Sequence, residues 1–210
     1  MEEVNNFGCV NSTIRLRSGL YFDLANPDPQ TVRISDIAGA LSKIPRFGGQ
    51  ADVNFVRESG GAAVFYDRAY SVAEHSFLCA LRASDDELPI ECVRAVFLHD
   101  ATEAYVGDMV RPLKCMIPQF REIEKRVSDA IAVAFGVDFD RWHVEIKEID
   151  NAMVIAERNA LFTPDGVEWN GESTCRSLNP EFDFLLPMEA ERCFTRVFER
   201  LFSGVTNVSV

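Results

Sequence analysis

The chain has 210 residues, with 21 Lys and Arg against 33 Asp and Glu, for a formal net charge of −12. With 47% hydrophobic and 26% charged residues it has the composition of a globular protein able to bury a full core. The acidic balance argues against a surface for nucleic-acid polymers or an anionic membrane, and no stretch approaches the roughly 20 apolar residues that span a bilayer.

At this length a single domain over residues 1–210 is expected. The N-terminal Met1-Glu2-Glu3-Val4-Asn5-Asn6 is acidic and polar, unlike a secretory signal. Cys9, Cys79, Cys92, Cys115, Cys175 and Cys193 are scattered, without a C-x-x-C pair. Both features point to the reducing cytoplasm and to free structural thiols.

In chain order, Ser35 ahead of Asp36, Ile37, Leu41 and Ile44 predicts a first helix with a serine N-cap. Apolar runs either side of Glu58-Ser59-Gly60-Gly61 predict a β-hairpin over about 52–67. Ser71 opens a second helix, and Glu74 three residues later predicts a capping box. A third helix is expected to start after Pro89 and run to about Gly107. A fourth follows Pro118 and stops at Gly136, with Ile123, Val127, Ala130, Ile131 and Ala134 on one stripe. A fifth covers about 143–162, and a loop rich in Gly, Ser, Asn and Pro spans 163–187. The last helix runs from Pro187 to Gly204, with Phe194, Val197, Phe198, Leu201 and Phe202 on its core face. Strands and helices do not alternate and nothing repeats. The expected class is all-α, a helical bundle with a small β-hairpin insertion.

Several polar residues break these apolar patterns. His75 sits among Val72, Phe77 and Leu78, and His99 with Asp100 follows Val93, Val96, Phe97 and Leu98. Asp150 lies on the stripe of Ile146, Ile149, Met153, Ala156 and Ala160. A carboxylate on a buried face is costly unless it is paired or binds a metal. His75, His99, Asp100 and Asp150 make a mixed nitrogen and oxygen donor set for a divalent Mn, Co, Zn, Fe or Mg ion. Two carboxylates would neutralise its charge and leave positions for water and a substrate oxygen. His143, beside Arg141 and Trp142, has no such partners and is expected to face solvent. Glu103, four residues after His99, is expected on the same helical face, where a carboxylate can move a proton. Asp108 follows Gly107 at a helix exit, a placement against the macrodipole that suits either a turn residue or a site acid.

Two strings, Tyr70-Ser71-Val72-Ala73-Glu74-His75-Ser76 and Leu98-His99-Asp100-Ala101-Thr102-Glu103-Ala104-Tyr105-Val106-Gly107-Asp108, resemble the HD-domain phosphohydrolases. Arg111-Pro112-Leu113-Lys114, Ile149-Asp150-Asn151-Ala152, Ile34-Ser35-Asp36-Ile37-Ala38, Leu41-Ser42 and Arg46-Phe47-Gly48-Gly49-Gln50 extend the likeness. It covers about residues 20–203 and is strongest to the branch of bacterial 5′-deoxynucleotidases and phage dATP triphosphohydrolases. Gln50 stands where many members carry histidine, and the segment between Arg46 and His75 is longer here.

The resemblance implies a metal on His75, His99, Asp100 and Asp150, a catalytic Glu103, a site acid at Asp108 and a phosphate contact from Arg46. It implies phosphoester hydrolysis at a deoxynucleotide, with dATP cleaved to deoxyadenosine and triphosphate as the first expectation. Stepwise phosphate release and a 5′-deoxynucleotidase acting on monophosphates are the alternatives. A catalytically inactive nucleotide-binding regulatory module is the alternative of another class. An anionic substrate in so acidic a chain needs local cations, and Arg46, Lys43, Arg111 and Lys114 are the candidates. Arg46 is the one suited to bidentate phosphate contact. Phe47 packs either on a base or ribose or in the core. The expected partner is a small nucleotide, with no membrane and no nucleic-acid polymer, and the Phe-rich last helix leaves a homo-oligomer open.

Overall fold

Helices carry most of the chain, and α2 stands at their centre. The computed structural model describes residues 12–51, 54–59, 62–169 and 172–203, with only the backbone considered over 54–59 and 62–67. Cys9, the hairpin tip Gly60-Gly61 and Gly204 lie outside the described residues. Strands β1 (Thr13–Arg15) and β2 (Tyr21–Asp23) pair antiparallel, with Ile14 opposite Phe22. Helix α1 (Ile34–Leu41) and a 3-10 turn (Arg46–Gly49) lead to the expected hairpin, β3 (Asn54–Ser59) with β4 (Ala62–Asp67). Then come α2 (Val72–Asp85), α3 (Ile90–Leu98), α4 (Glu103–Val106), α5 (Arg111–Met116), α6 (Pro118–Phe135), α7 (His143–Leu161) and α8 (Pro187–Phe202).

Helix α2 packs on α3, α7 and α8, while α1 packs on α8 and α4. The Phe stripe of α8 is its core face. Phe194 meets Phe97 at 4.3 Å between ring centroids, and Phe198 meets Phe135 at 5.3 Å. Each such ring contributes roughly 1.5–3 kcal/mol by leaving water. Gly136 ends α6 in the left-handed region at φ 65°, a conformation that glycine adopts without steric cost. The five described cysteines are free thiols, and no described helix is long and apolar enough to cross a membrane.

Four local expectations are corrected. Helix α1 starts two residues early with Arg33 at its N-cap, so Ser35 lies inside it. The capping box at α2 is half made. Ser71 Oγ accepts from the Glu74 N–H at 3.2 Å, but the Glu74 carboxylate turns away. It accepts the backbone N–H groups of Asp183, Phe184 and Leu185 at 2.9, 2.9 and 3.0 Å, clamping the loop ahead of α8. The predicted third helix is broken into α3 and α4 by a turn at 99–102. There the N–H groups of Ala101 and Glu103 bond to Leu98 and Asp100 carbonyls, each three residues back, which winds the chain tighter than an α-helix. Finally, β1, β2 and α5 arise from segments with no strong sequence pattern.

A second buried carboxylate also acts as a clamp. Asp36 of α1 accepts from Ser18 N and Ser18 Oγ, both at 2.7 Å, and so ties the β1–β2 loop to the helical core.

Candidate metal centre

Helix α2, the turn after α3, and α7 converge on one cluster of imidazoles and carboxylates. His75 is fully buried, and its Nδ1 lies 2.5 Å from Glu157 Oε1. His99 Nδ1 lies 2.7 Å from the Val96 carbonyl. Those partners accept, so each ring is assigned its proton on Nδ1 and a lone pair on Nε2. The two Nε2 atoms face each other at 3.3 Å, and two lone pairs at that distance need a positive charge between or beside them. Asp100 Oδ2 lies 3.5 Å from His75 Nε2 and 3.3 Å from His99 Nε2. Asp150 Oδ1 lies 3.4 and 3.8 Å from the same two atoms. Ligand atoms of His75, His99 and Asp150 all fall within 4.8 Å of one another.

The helix break after Leu98 serves this geometry. The turn places His99 and Asp100 in consecutive positions with both side chains toward α2 and α7, which neighbouring residues on one regular helix do not achieve. The donor set fits a divalent cation in number and chemistry: two neutral imidazole nitrogens and two carboxylates. The electrostatics of the cluster point the same way. Burial pushes the pKa of His99 down, but Asp100 and Asp150 outweigh it and hold the imidazole well above its ordinary value. Burial raises Asp100 and Asp150, yet the histidines around them hold both carboxyls well below the usual range.

Behind the donors lies a buried polar layer. Glu157, on α7 and fully buried, accepts from His75 Nδ1, from Tyr70 OH at 2.9 Å and from an Arg46 NH2 at 3.3 Å. Arg46 also reaches Asp100 Oδ2 at 3.2 Å and comes within 4.0 Å of Asp150 Oδ1. Its guanidinium is thus drawn into the carboxylate cluster, while its Nε is buried without a partner. Glu157 and Tyr70 were not among the expected site residues. Glu157 follows Asp150 by seven residues, two helical turns on the same face, and that spacing was the available signal.

Glu103 flanks the cluster at 3% exposure, with Oε2 buried and unpartnered and Lys114 Nζ 3.8 Å from Oε1. Burial and the charges of Asp100 and Asp108 push its carboxyl well above the ordinary range, against the weaker pull of Arg46 and Lys114. Asp108 is half-buried and is also raised, by burial and by Asp100, against Arg46. Lys114 is held mainly by Glu124, 2.8 Å away.

Phe47 lies beside Arg46 in the left-handed region, at φ 57° and ψ 27°, at a cost of roughly 1–2 kcal/mol. Its ring meets Phe162 edge-on at 5.2 Å and Trp169 at 6.1 Å. Arg111 is an exposed rim cation, 3.3 Å from Asn151 Oδ1 and 3.8 Å from Asp150 Oδ2. Lys43 turns instead to the Gly39 carbonyl and to Glu191 at 3.8 Å, so it is removed from the candidate cations. His143 is exposed, as expected, and pairs with the Asp140 carbonyl.

No protein-family profile matches the chain. It is 32% identical over 160 residues to the uncharacterized protein YfdR of Escherichia coli (strain K12), covering 75% of this chain and 77% of YfdR. It is also 32% identical over 126 residues to the uncharacterized protein RCAP_rcc00048 of Rhodobacter capsulatus, covering 59% of this chain and 58% of that one. A likeness running through three quarters of both chains at that identity makes this chain a member of the family of YfdR.

Proposed function

We propose that the chain is a metal-dependent phosphohydrolase of deoxynucleotides, with dATP or another dNTP cleaved to deoxynucleoside and triphosphate. The observation that carries the hydrolase reading is the pair of imidazole Nε2 atoms 3.3 Å apart, ringed by Asp100 and Asp150, beside a buried glutamate with an unsatisfied oxygen. The choice of a deoxynucleotide rests on the resemblance of the motif strings to HD-domain phosphohydrolases.

A divalent cation on His75, His99, Asp100 and Asp150 would supply Lewis acidity toward a phosphoryl oxygen and a lowered pKa for water. The protein groups do the rest. Glu103, its carboxyl pushed above the ordinary range by burial and by Asp100, donates its proton to the leaving 5′ oxygen as water adds its hydroxyl to phosphorus. The proton that the water gives up passes by way of Asp108, whose charge acts on Glu103, back to Glu103 and restores its carboxyl. Arg46 turns from Asp100 toward the phosphoryl oxygens, with Lys114 and the rim cation Arg111 offsetting further negative charge. The Phe47, Phe162 and Trp169 rings, beside Arg46, offer an apolar surface for the nucleoside.

The test is a panel of dNTPs and dNMPs incubated with the chain in Mn²⁺, Co²⁺ or Mg²⁺, with products identified. Triphosphate and nucleoside from dNTPs are expected, and Asp100→Ala should abolish their release. Turnover confined to monophosphates would make the chain a 5′-deoxynucleotidase. Nucleotides that raise the melting temperature without any turnover would make it a binding module and overturn the hydrolase reading.

A further inference from the structure

We propose that Glu157, steadied by Tyr70, is the positioning residue that presents His75 to the metal and thereby sets the metal affinity of the site. This rests on the metal-centre reading above and adds a residue that the motif strings do not contain. His75 can ligate through Nε2 only if its proton sits on Nδ1, and what holds the proton there is an acceptor facing Nδ1. Glu157 Oε1 is that acceptor, at 2.5 Å. Cys79 Sγ, 3.9 Å from the same nitrogen, is too weak an acceptor to replace it.

Glu157 meets three donors at once. Oε1 takes His75 Nδ1 and Tyr70 OH, and Oε2 takes Arg46 NH2. Only a carboxylate accepts at both ends; a glutamine has a single oxygen, so its amide must face either the imidazole or the guanidinium with N–H against N–H. Full burial denies water the chance to fill the gap. The Tyr70 hydroxyl fixes the plane of the carboxylate, and Tyr70 is itself held by packing at 2% exposure, edge-on to Phe182. The same carboxylate therefore fixes His75 and the guanidinium that reaches Asp100 and Asp150.

Metal-free chain titrated with Co²⁺ alone, followed by visible absorption, separates this role from catalysis. Glu157→Gln should weaken Co²⁺ binding about 10–100-fold, the usual loss when such an outer partner is removed. Tyr70→Phe, which leaves the carboxylate in place, should weaken it by a smaller factor. The signature that a merely structural role would not produce is the His75 tautomer. In Zn²⁺-loaded wild-type protein, ¹⁵N imidazole shifts should show a protonated Nδ1 and a ligated Nε2, and this needs no variant to fold. Binding through Nδ1 overturns the proposal, as does Co²⁺ affinity unchanged in folded Glu157→Gln or, should that variant not fold, in Tyr70→Phe. A wild-type chain that takes up no metal overturns the metal centre itself. Tight metal uptake without nucleotide turnover overturns only the proposed reaction.

Discussion

Glu74 and Glu103 are the same residue type at nearly the same burial, 0% and 3% exposed, and they do opposite things. Glu74 has its demands met: three consecutive backbone N–H groups point at its two oxygens. Glu103 has one oxygen buried with no partner and a lysine no closer than 3.8 Å. A satisfied buried carboxylate holds a loop. An unsatisfied one beside the His75, His99, Asp100 and Asp150 cluster is, on the proposed hydrolase reading, the group that moves a proton.

The largest effect is expected from Glu103. Glu103→Gln should lower turnover by about 10²–10⁴-fold, the range for a lost proton-transfer group, while leaving the thermal midpoint unchanged or raised. Steady-state kinetics beside calorimetry checks both halves. A large fall in melting temperature would place Glu103 with Glu74 and erase the contrast.

Glu74→Ala should do the reverse. It leaves three backbone N–H groups of 183–185 without their acceptor, that of Phe184 in a buried position, and the loss is expected at roughly 3 kcal/mol. In a domain of this size that lowers the midpoint by roughly 6–12 °C. Activity measured well below that midpoint should stay near the wild-type level. Proteolysis of the chain should move to the segment ahead of α8.

The difference between these two glutamates was only partly legible in the sequence. His75, His99, Asp100 and Asp150 stand out because each interrupts an apolar run, and polar residues on apolar stripes can be seen without coordinates. Helices α6 and α8 were legible because Pro118 and Gly136 bound the first and Pro187 opens the second. Glu74 looked like the second half of a capping box, a local partner three residues away, whereas its real partners lie more than a hundred residues on. Glu157 was hidden for the same reason: a glutamate followed by Arg158 reads as a solvated helix face until Tyr70 and Arg46 are brought over it. The break at 99–102 was hidden too, since the Val96 carbonyl is shared with the ring of His99, a choice that backbone propensity does not encode.

Asp36 tests whether the lesson of Glu74 is general. It is 5% exposed and, among the described residues, is satisfied by Ser18 through two bonds of 2.7 Å. Asp36→Ala should cost roughly 1–2 kcal/mol in denaturant unfolding, less than Glu74→Ala, because one hydroxyl and one N–H lose their acceptor and the loop they sit on can reach water. A cost above that of Glu74→Ala would mean that the count of abandoned donors does not rank these clamps.

The smallest and sharpest expected effect is in the pH dependence of stability of metal-free protein, measured in the presence of a chelator. Both glutamates are raised above the ordinary 4.5, Glu74 by burial against its three backbone donors, Glu103 by burial together with Asp100 and Asp108 and by a wider margin. From 4.5 up to its folded pKa, each native carboxyl keeps a proton that the unfolded chain has released. The native state therefore binds more protons, and stability falls as pH rises through that window. Below 4.5 both states are protonated and the contribution is level. Replacing either glutamate by glutamine removes its share of the fall, so the stability curve flattens above 4.5 in both variants. Because the burial of Glu103 is uncompensated, Glu103→Gln should flatten the curve over the wider pH span, and Glu74→Gln only over its lower part. A Glu74→Gln curve flatter to higher pH than that of Glu103→Gln would show that the three backbone donors do not hold the Glu74 carboxylate, and the clamp would lose its electrostatic half.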